Sequence, residues 1–480
     1  MDTQSSAMPQ PTEESIPDFI QLKQIPVNYL QQVETDLLDP VVFNQGSTTG
    51  DGFCRFQLQN KGFLHSHSKV FCSVQPNATN ASVYFAPQVG IGQLVKKAVL
   101  KIGNKTLNEL DSWAGLHAVK SSLISNEVQL ERELYMTGRC FSHQFDYSDS
   151  GQNTADSYGL ETGIEEKPET TQVDLKLPNW ALMDGTSAAK KAECPSYSID
   201  LSDLFPFLKV NQLPLYMIRE PITIELTFQP TTKFRAQIGG GDTADIAMEI
   251  DRNELKFCAD YIFYGASDEM ERYAAANRDM SFSFVDYRLV EHTTTGTQIG
   301  SGVIRNLGMA NRLVPRVITT LPYDKDTFNE STLLGQFVSI SPVVNASSVE
   351  GATTKLRYNI RYNDRFEYTS DVDNTARLFS IITDSEGIPF VGRSEYSGQS
   401  LTGITNVTKY MGREQRANLQ GHLFYLGSRL TNGRVGQRGI ELHLTGEFAT
   451  SGRQVNLMRN YCEYLRVARL VDGIFEVYNA

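Results

Sequence analysis

The chain has 480 residues, 40% hydrophobic and 21% charged, enough apolar material to bury a core in two all-β domains of ordinary size. Its 44 Lys and Arg against 56 Asp and Glu leave a formal charge of −12, which argues against coating bare nucleic acid, because phosphate contacts need cationic side chains; no specific nucleic-acid binding is expected. No run of roughly 18 uncharged apolar residues occurs, so no transmembrane segment is expected, and the polar start MDTQSSAMPQPTEESIPDF lacks the basic leader and apolar stretch of a signal peptide.

Residues 1–24, rich in Gln, Ser, Pro and Glu, read as a flexible N-terminal arm. Within and just after it, Ile16, Phe19, Ile20, Leu22 and Ile25 form an apolar cluster. Residues 15–30 are therefore expected to dock on their own domain or on a neighbour. Strand patterning begins with Gly52–Gln59, where Phe53, Arg55 and Gln57 alternate with Cys54, Phe56 and Leu58. His67–Gln75 and Lys96–Ile102 continue it, and Gly103-Asn104 turns the chain. A helix is expected over Leu107–Leu123: Thr106 and Glu109 have capping-box spacing, and Leu107, Leu110, Trp113 and Ala114 share a face. Trp113 reads as core.

The stretch 141–192 turns polar and irregular, and Gly151–Thr170 within it carries five acids and one lysine, which suggests a solvated outer loop. Strands resume at Ser196–Leu201 and Tyr216–Phe228, and a second long loop, 231–253, contains Gly239-Gly240-Gly241. Ser267, followed by Asp268 and Glu269, is a plausible helix start within Ala266–Met280. Strands then restart at Ser281–Val290, Arg312–Leu321, Leu334–Ile340 and Lys355–Tyr362. A second helix is expected at Asn374–Ile382, then strands at His422–Leu430 and Gly439–Phe448, and a last run from Cys462 to Tyr478.

The same order of pieces occurs twice: strands, a short helix in mid-course, then a closing strand pair of high apolar density. The closing pair is Pro214–Phe228 with Glu254–Tyr264 in the first half, and Gly439–Phe448 with Cys462–Tyr478 in the second. The division expected is an arm at 1–24, a first domain at 25–265, a helical linker at 266–280 and a second domain at 281–480. A duplicated β plan suggests a building block rather than an enzyme.

Motifs for chemistry are sparse. The seven histidines fall in different segments, and His65-Ser-His67 lacks an obvious third metal ligand. Gly90-Ile-Gly92 and the glycines at 239–241 lack the phosphate-loop spacings, and no G-x-S-x-G elbow is present. Asp371-Val-Asp373 reads as a turn rather than a cation site. The cysteines at 54, 72, 140, 194, 258 and 462 contain no C-x-x-C pair and several sit in apolar strand patterns, so they read as reduced and structural. Six N-x-S/T sequons, at Asn77, Asn80, Asn104, Asn329, Asn345 and Asn406, mark loops if anything. No catalytic residue, cofactor or metal is expected.

The run FAPQVGIGQLVKKAVLKIGNKTLNELDSWAGLHAVKSSLISN resembles a segment of the double jelly-roll major capsid proteins of icosahedral double-stranded DNA viruses, the lineage of virophages, polinton-like viruses and nucleocytoplasmic large DNA viruses. There a strand leads into a helix with an aromatic and spaced apolar residues; here the strand is 98–104, and Trp113, Leu116, Val119 and Leu123 hold those places. LPLYMIREPITIELTF resembles late strands of the first jelly roll, and ASDEMERY the linker after it. The resemblance spans Val33 to Ala480. It implies an all-β fold with short helices, two tandem eight-stranded jelly rolls. It also implies a homotrimer of pseudo-hexagonal outline that tiles an icosahedral shell, meeting neighbouring capsomers, penton and minor capsid proteins in the virion, after synthesis in the host cytoplasm or a nucleus-associated factory. The alternative from composition is a β-sandwich carbohydrate-binding protein or glycosidase working through exposed aromatics, and a secreted adhesin or coat protein is a third.

Overall fold

In the computed structural model the described residues are 31–76, 82–84, 90–121, 136–138, 182–184, 196–231, 248–265, 267–293, 302–320, 357–372, 377, 381, 426–430, 434–445 and 457–479. The first half contains β1 (Gln31–Leu38), β2 (Val42–Asn44), β3 (Gly52–Leu58), β4 (Phe63–Leu64), β5 (Lys69–Pro76), β6 (Ser82–Tyr84), β7 (Val95–Ile102) and β8 (Lys105–Asp111). Then come β9 (Leu182–Asp184), β10 (Ser196–Asp200), β11 (Leu213–Pro214), β12 (Ile222–Phe228), β13 (Met248–Ile250) and β14 (Lys256–Tyr264), with helices α1 (Trp113–Ser121), α2 (Leu201–Leu204) and α3 (Pro206–Val210). After α4 (Ser267–Ala276) the second half has β15 (Asp279–Thr293), β16 (Val303–Gly308), β17 (Arg316–Thr320), β18 (Arg357–Tyr362) and β19 (Arg365–Phe366). It ends with β20 (Leu426–Arg429), β21 (Ile440–Thr445), β22 (Leu457–Val471) and β23 (Ile474–Asn479).

Pairing makes the duplication explicit. In the first half β1-β14-β5-β10 lie side by side in one sheet and β3-β12-β7-β8 in the other. In the second half the orders are β15-β22-β17-β20 and β16-β21-β18-β19. Numbered along the chain within each half, both sets of eight strands read 1-8-3-6 and 2-7-4-5. That wiring, two antiparallel sheets exchanging successive strands, is the jelly roll. The remaining short strands sit at the margins.

Alternation holds the sandwiches together. In β3, Cys54, Phe56 and Leu58 point inward, and in β12 Ile222, Ile224, Leu226 and Phe228 do the same. Phe56 meets Phe257 of the opposite sheet with ring centroids 5.8 Å apart. The expected closing pairs are therefore not neighbours in a ladder: β12 and β14, like β21 and β22, lie in opposite sheets and face each other through the core. Their apolar density comes from lining one core from two sides. The expected strand from Tyr216 also begins later, at Ile222, after a 3₁₀ turn at Leu215–Met217 and Pro221.

Three further expectations are corrected. The helix expected from Leu107 begins at Trp113. Gly103, at φ +58°, turns β7 back into β8, so Thr106 and Glu109 belong to a strand ladder, where Glu109 faces Lys97 rather than capping a helix. The final run is two strands: Asp472 and Gly473, both at positive φ, make the hairpin turn between β22 and β23. Of the stretch 141–192, read as irregular, only Leu182–Asp184 is described, and it is a strand, β9, paired with β6.

The helix at Ser267–Ala276 and the buried Trp113 agree with expectation. Of Asn374–Ile382 only Arg377 and Ile381 are described, both in helical backbone. The arm 1–24, the expected strand Leu334–Ile340 and Gly239–Gly241 fall outside the described residues.

Candidate functional site: the seam between the two rolls

Buried polar chemistry converges where the two rolls meet. One edge of the seam is β8 with α3 of the first roll; the other is β15, β22 and β23 of the second. Apolar packing comes first. Phe207 of α3 meets Phe282 and Phe284 of β15 edge-on, at 5.7 and 5.1 Å between centroids, and Phe282 stacks on Phe475 of β23 at 6.0 Å. A single apolar cluster runs through both rolls without a break.

At its centre lies Asp286. Its Oδ1 accepts from Asn108 Nδ2 at 3.1 Å and from its neighbour's N–H, Tyr287 N, at 3.0 Å. Its Oδ2 accepts from Arg466 Nη1 at 2.7 Å and from Tyr464 Oη at 3.2 Å. Arg466 also donates to the carbonyls of Leu107 at 3.0 Å and Thr106 at 3.4 Å, crossing from β22 onto β8. Burial pushes the Asp286 carboxyl up, against the opposing pull of Arg466. A carboxylate so enclosed is tolerable only because its lone pairs are occupied.

Backbone contacts extend the seam. Tyr461 Oη donates to Ser112 O at 3.1 Å, and Asn211 Nδ2 donates to Ser283 O at 3.1 Å. Arg219 N donates to Gly473 O at 3.0 Å, and Phe475 N donates to Glu220 Oε2 at 3.3 Å. Two glycines are needed for this fit. A Cβ on Gly115 would stand 2.6 Å from Tyr461 Oη, and one on Gly473 would stand 2.7 Å from Arg219 Cγ.

The motif candidates lie elsewhere and do not converge. His65 and His67 sit beside each other with ring centroids 5.3 Å apart; His65 Nδ1 accepts from His67 N, and His67 Nδ1 lies 3.3 Å from Asp200 Oδ2. Among the described residues no group of three His, Cys, Asp or Glu is placed to hold a metal. Gly90-Ile-Gly92 lies in a buried 3₁₀ turn, Gly90–Leu94. Asp371 Oδ1 accepts from Asn359 Nδ2 at 3.1 Å. Cys54, Cys72 and Cys462 are buried free thiols and Cys258 is half-buried; burial pushes Cys462 up to about 12. Among the described residues no helix is long and apolar enough to cross a membrane.

Other buried carboxylates are tied to cations. Glu225, on β12, bridges Arg55 and Lys101 of the two flanking strands at 2.8 and 2.5 Å. Glu463 accepts from Arg316 and from Tyr287 Oη, each at 2.5 Å. The arrangement binds strands to one another. Sequence reading passed over Asn108, Phe207, Asp286 and Arg466, although Phe282, Phe284 and Asp286 at spacing two put an acid on an apolar strand face.

No protein-family model matches the chain, and no curated protein matches it. Solved structures do. The PBCV-1 virus capsid is similar at 11% identity and TM-score 0.52, covering 96% of this chain and 100% of that one. PBCV-1 VP54, fitted into a reconstruction of the virophage Sputnik, is similar at 11% identity and TM-score 0.54, with the shares again 96% and 100%. The Sputnik virophage structure is similar at 10% identity and TM-score 0.53, covering 99% of this chain and 93% of that one. At such identities the likeness speaks for architecture, and together with the twice-repeated strand order it shows that this chain has the double jelly-roll fold shared with these virus capsids.

Proposed function

We propose that the chain is a major capsid protein: a structural subunit, not an enzyme, that associates with itself as a homotrimer. Six jelly rolls around one axis give the trimer a pseudo-hexagonal outline that tiles an icosahedral virion shell. The observation that carries this reading is the buried seam, which joins two sandwiches of the same strand order through one continuous core, as a two-roll tile requires. The proposal divides the chain into an arm at 1–24, rolls at 25–265 and 281–480, and a linker at 266–280. Its partners are copies of itself, neighbouring capsomers, and penton and minor capsid proteins, with no resident cofactor and no nucleic-acid site. Production takes place in the host cytoplasm or a nucleus-associated factory.

Sedimentation of purified protein, followed by negative-stain microscopy, tests the proposal. Trimers with a hexagonal outline are expected. A monodisperse monomer across micromolar concentrations, or hydrolysis of a glycan that vanishes on replacing one carboxylate, would overturn it.

A further inference from the structure

Gln31, where β1 begins, stands opposite Tyr264, where β14 ends. Gly265, at φ +66°, then turns the chain away into α4. β14 therefore offers the chain ahead of Gln31 no further residue to pair with, and that chain leaves the sheet beside the start of the linker helix.

An aromatic ledge lies at the same place. Phe63 of β4, which pairs with Ile262 of β14, meets Tyr216, Tyr264 and Tyr273 edge-on, at 5.3, 5.4 and 6.3 Å between ring centroids. Tyr273 comes from α4 and is 43% exposed, while Phe63, Tyr216 and Tyr264 are half-buried. Tyr264 Oη donates to Gln212 Oε1 at 3.3 Å, but Tyr216 Oη, a buried atom, has no hydrogen-bond partner among the described residues. Burial, with Tyr273 beside it, pushes that hydroxyl up to about 12, so it stays a donor. A buried phenol left unpaired costs free energy, and large rings bared beside it mark a surface that something covers.

The chain just ahead of β1 carries what fits. Ile25-Pro26-Val27 precedes Gln31 by four to six residues and is uncharged. Proline fixes its own φ and holds the residue before it extended, so the triplet favours polyproline II backbone, whose carbonyls have no partners of their own. Segments of that form lie on aromatic-lined surfaces. Reach suffices as well. Extended chain from Gln31 back to Val27 spans roughly 13 Å, and Tyr273, six residues on from Ser267, lies about 9 Å along α4.

We propose that Ile25-Pro26-Val27 lies across Phe63 and Tyr273 of its own chain, with Tyr216 Oη donating to one of its carbonyls, and so ties the N-terminal arm to the linker helix. The tether favours the chain's own triplet over a neighbour's, because a few residues hold it at high local concentration. The contact needs no trimer, so its failure leaves the capsid reading standing.

Trypsin reads the contact, since Lys23 is the one Lys or Arg ahead of Arg55. Cleavage there needs the surrounding chain free of the ledge, so its rate follows the undocked population. Each rate is taken against a synthetic peptide of residues 16–31 with the same sequence. The full-length protein is expected to lose residues 1–23 slowly, and the Tyr273→Asp protein, with the melting point of the parent, about tenfold faster. A parent cut at Lys23 as fast as its peptide, or a Tyr273→Asp rate equal to the parent's, overturns the proposal. Should Tyr273→Asp lower the melting point, Pro26→Gly/Val27→Ser changes the docking segment alone and is expected to speed cleavage as much; an unchanged rate there overturns the proposal too. Chains carrying Val27→Cys with Tyr273→Cys show whose segment is bound. A short bifunctional thiol reagent is expected to join positions 27 and 273 within one chain, leaving a 53.7 kDa band on a denaturing gel. Links that give multiples of that mass assign the ledge to a neighbour's segment, and they, like the absence of any link, overturn the proposal.

Discussion

Asn108 and Asp286, 178 residues apart in sequence, are hydrogen-bonded across the two rolls at 3.1 Å, and the other end of the same amide accepts the Phe207 N–H at 3.1 Å. One side chain thereby satisfies an acid of the second roll and a backbone donor of the first. Asn108→Leu fills the space but leaves the Phe207 N–H without its acceptor and takes one donor from Asp286 Oδ1, which keeps the Tyr287 N–H. The expected loss is about 1–3 kcal/mol for the buried donor left unpaired, read as a melting midpoint several degrees lower, with the secondary structure intact.

Removing the cation should hurt more than neutralising the acid. Arg466→Met leaves the Asp286 charge enclosed without its counterion, a change of about 3–5 kcal/mol for a buried pair broken on one side. Asp286→Asn keeps the shape and removes the charge, and is expected to lose less. Denaturant unfolding of the two variants beside the parent checks the order; a larger loss in Asp286→Asn would contradict it.

Gly115 and Tyr461 supply a cycle with a sign. Alanine is the better helix former by up to about 1 kcal/mol, yet a Cβ at Gly115 would stand 2.6 Å from Tyr461 Oη. Gly115→Ala is expected to destabilise by about 1–3 kcal/mol through overpacking. In Tyr461→Phe the obstructing oxygen is gone, and the same glycine replacement is expected to be neutral or favourable. Unfolding free energies of the four proteins measure the coupling.

Acid should weaken each roll through a different group. Burial, with Arg305 nearby, holds His292 below the usual histidine value of 6.5, so its folded state prefers the neutral ring. That contribution is complete above pH 6.5 and is lost as the pH falls through the depressed folded value. Burial tends to raise Glu225, but the Lys101 and Arg55 cations outweigh it and bring the carboxyl below 4.5; its contribution is complete above pH 4.5 and is lost in more acid solution. Stability profiles of His292→Gln and Glu225→Gln are expected to be flatter in those two windows respectively.

Local signals in the sequence carried the strands well, and long-range ones poorly. Alternation in Gly52–Leu58 and Ile222–Phe228 reads directly because each strand has one wet and one dry face. The helix start was misplaced because Thr106 and Glu109 have capping-box spacing, and only the pairing of β8 with β7 reveals a strand there. The Asp472-Gly473 turn is a hairpin signal hidden between two apolar runs. Asn108 and Arg466 left no mark, since an amide in β8 and an arginine in β22 become meaningful only when folding brings 359 residues' separation to a 3.0 Å contact with the Leu107 carbonyl.

The pairing of β15 with β22 along all 15 residues of each has a consequence for birth on the ribosome. The first roll has its eighth strand once Tyr264 has emerged. The second roll's opening strand is made early, and its ladder partner follows only after β17 and β20 of that sheet. Until then the seam face of the first roll around Phe207 has only the unpaired β15, with Phe282 and Phe284, to lie against. Such a half-made molecule presents apolar surface to its siblings on the same message, and non-local strand closure is slow. Nascent chains of this protein are therefore expected to be most prone to associate during that interval, which ends as β22 docks.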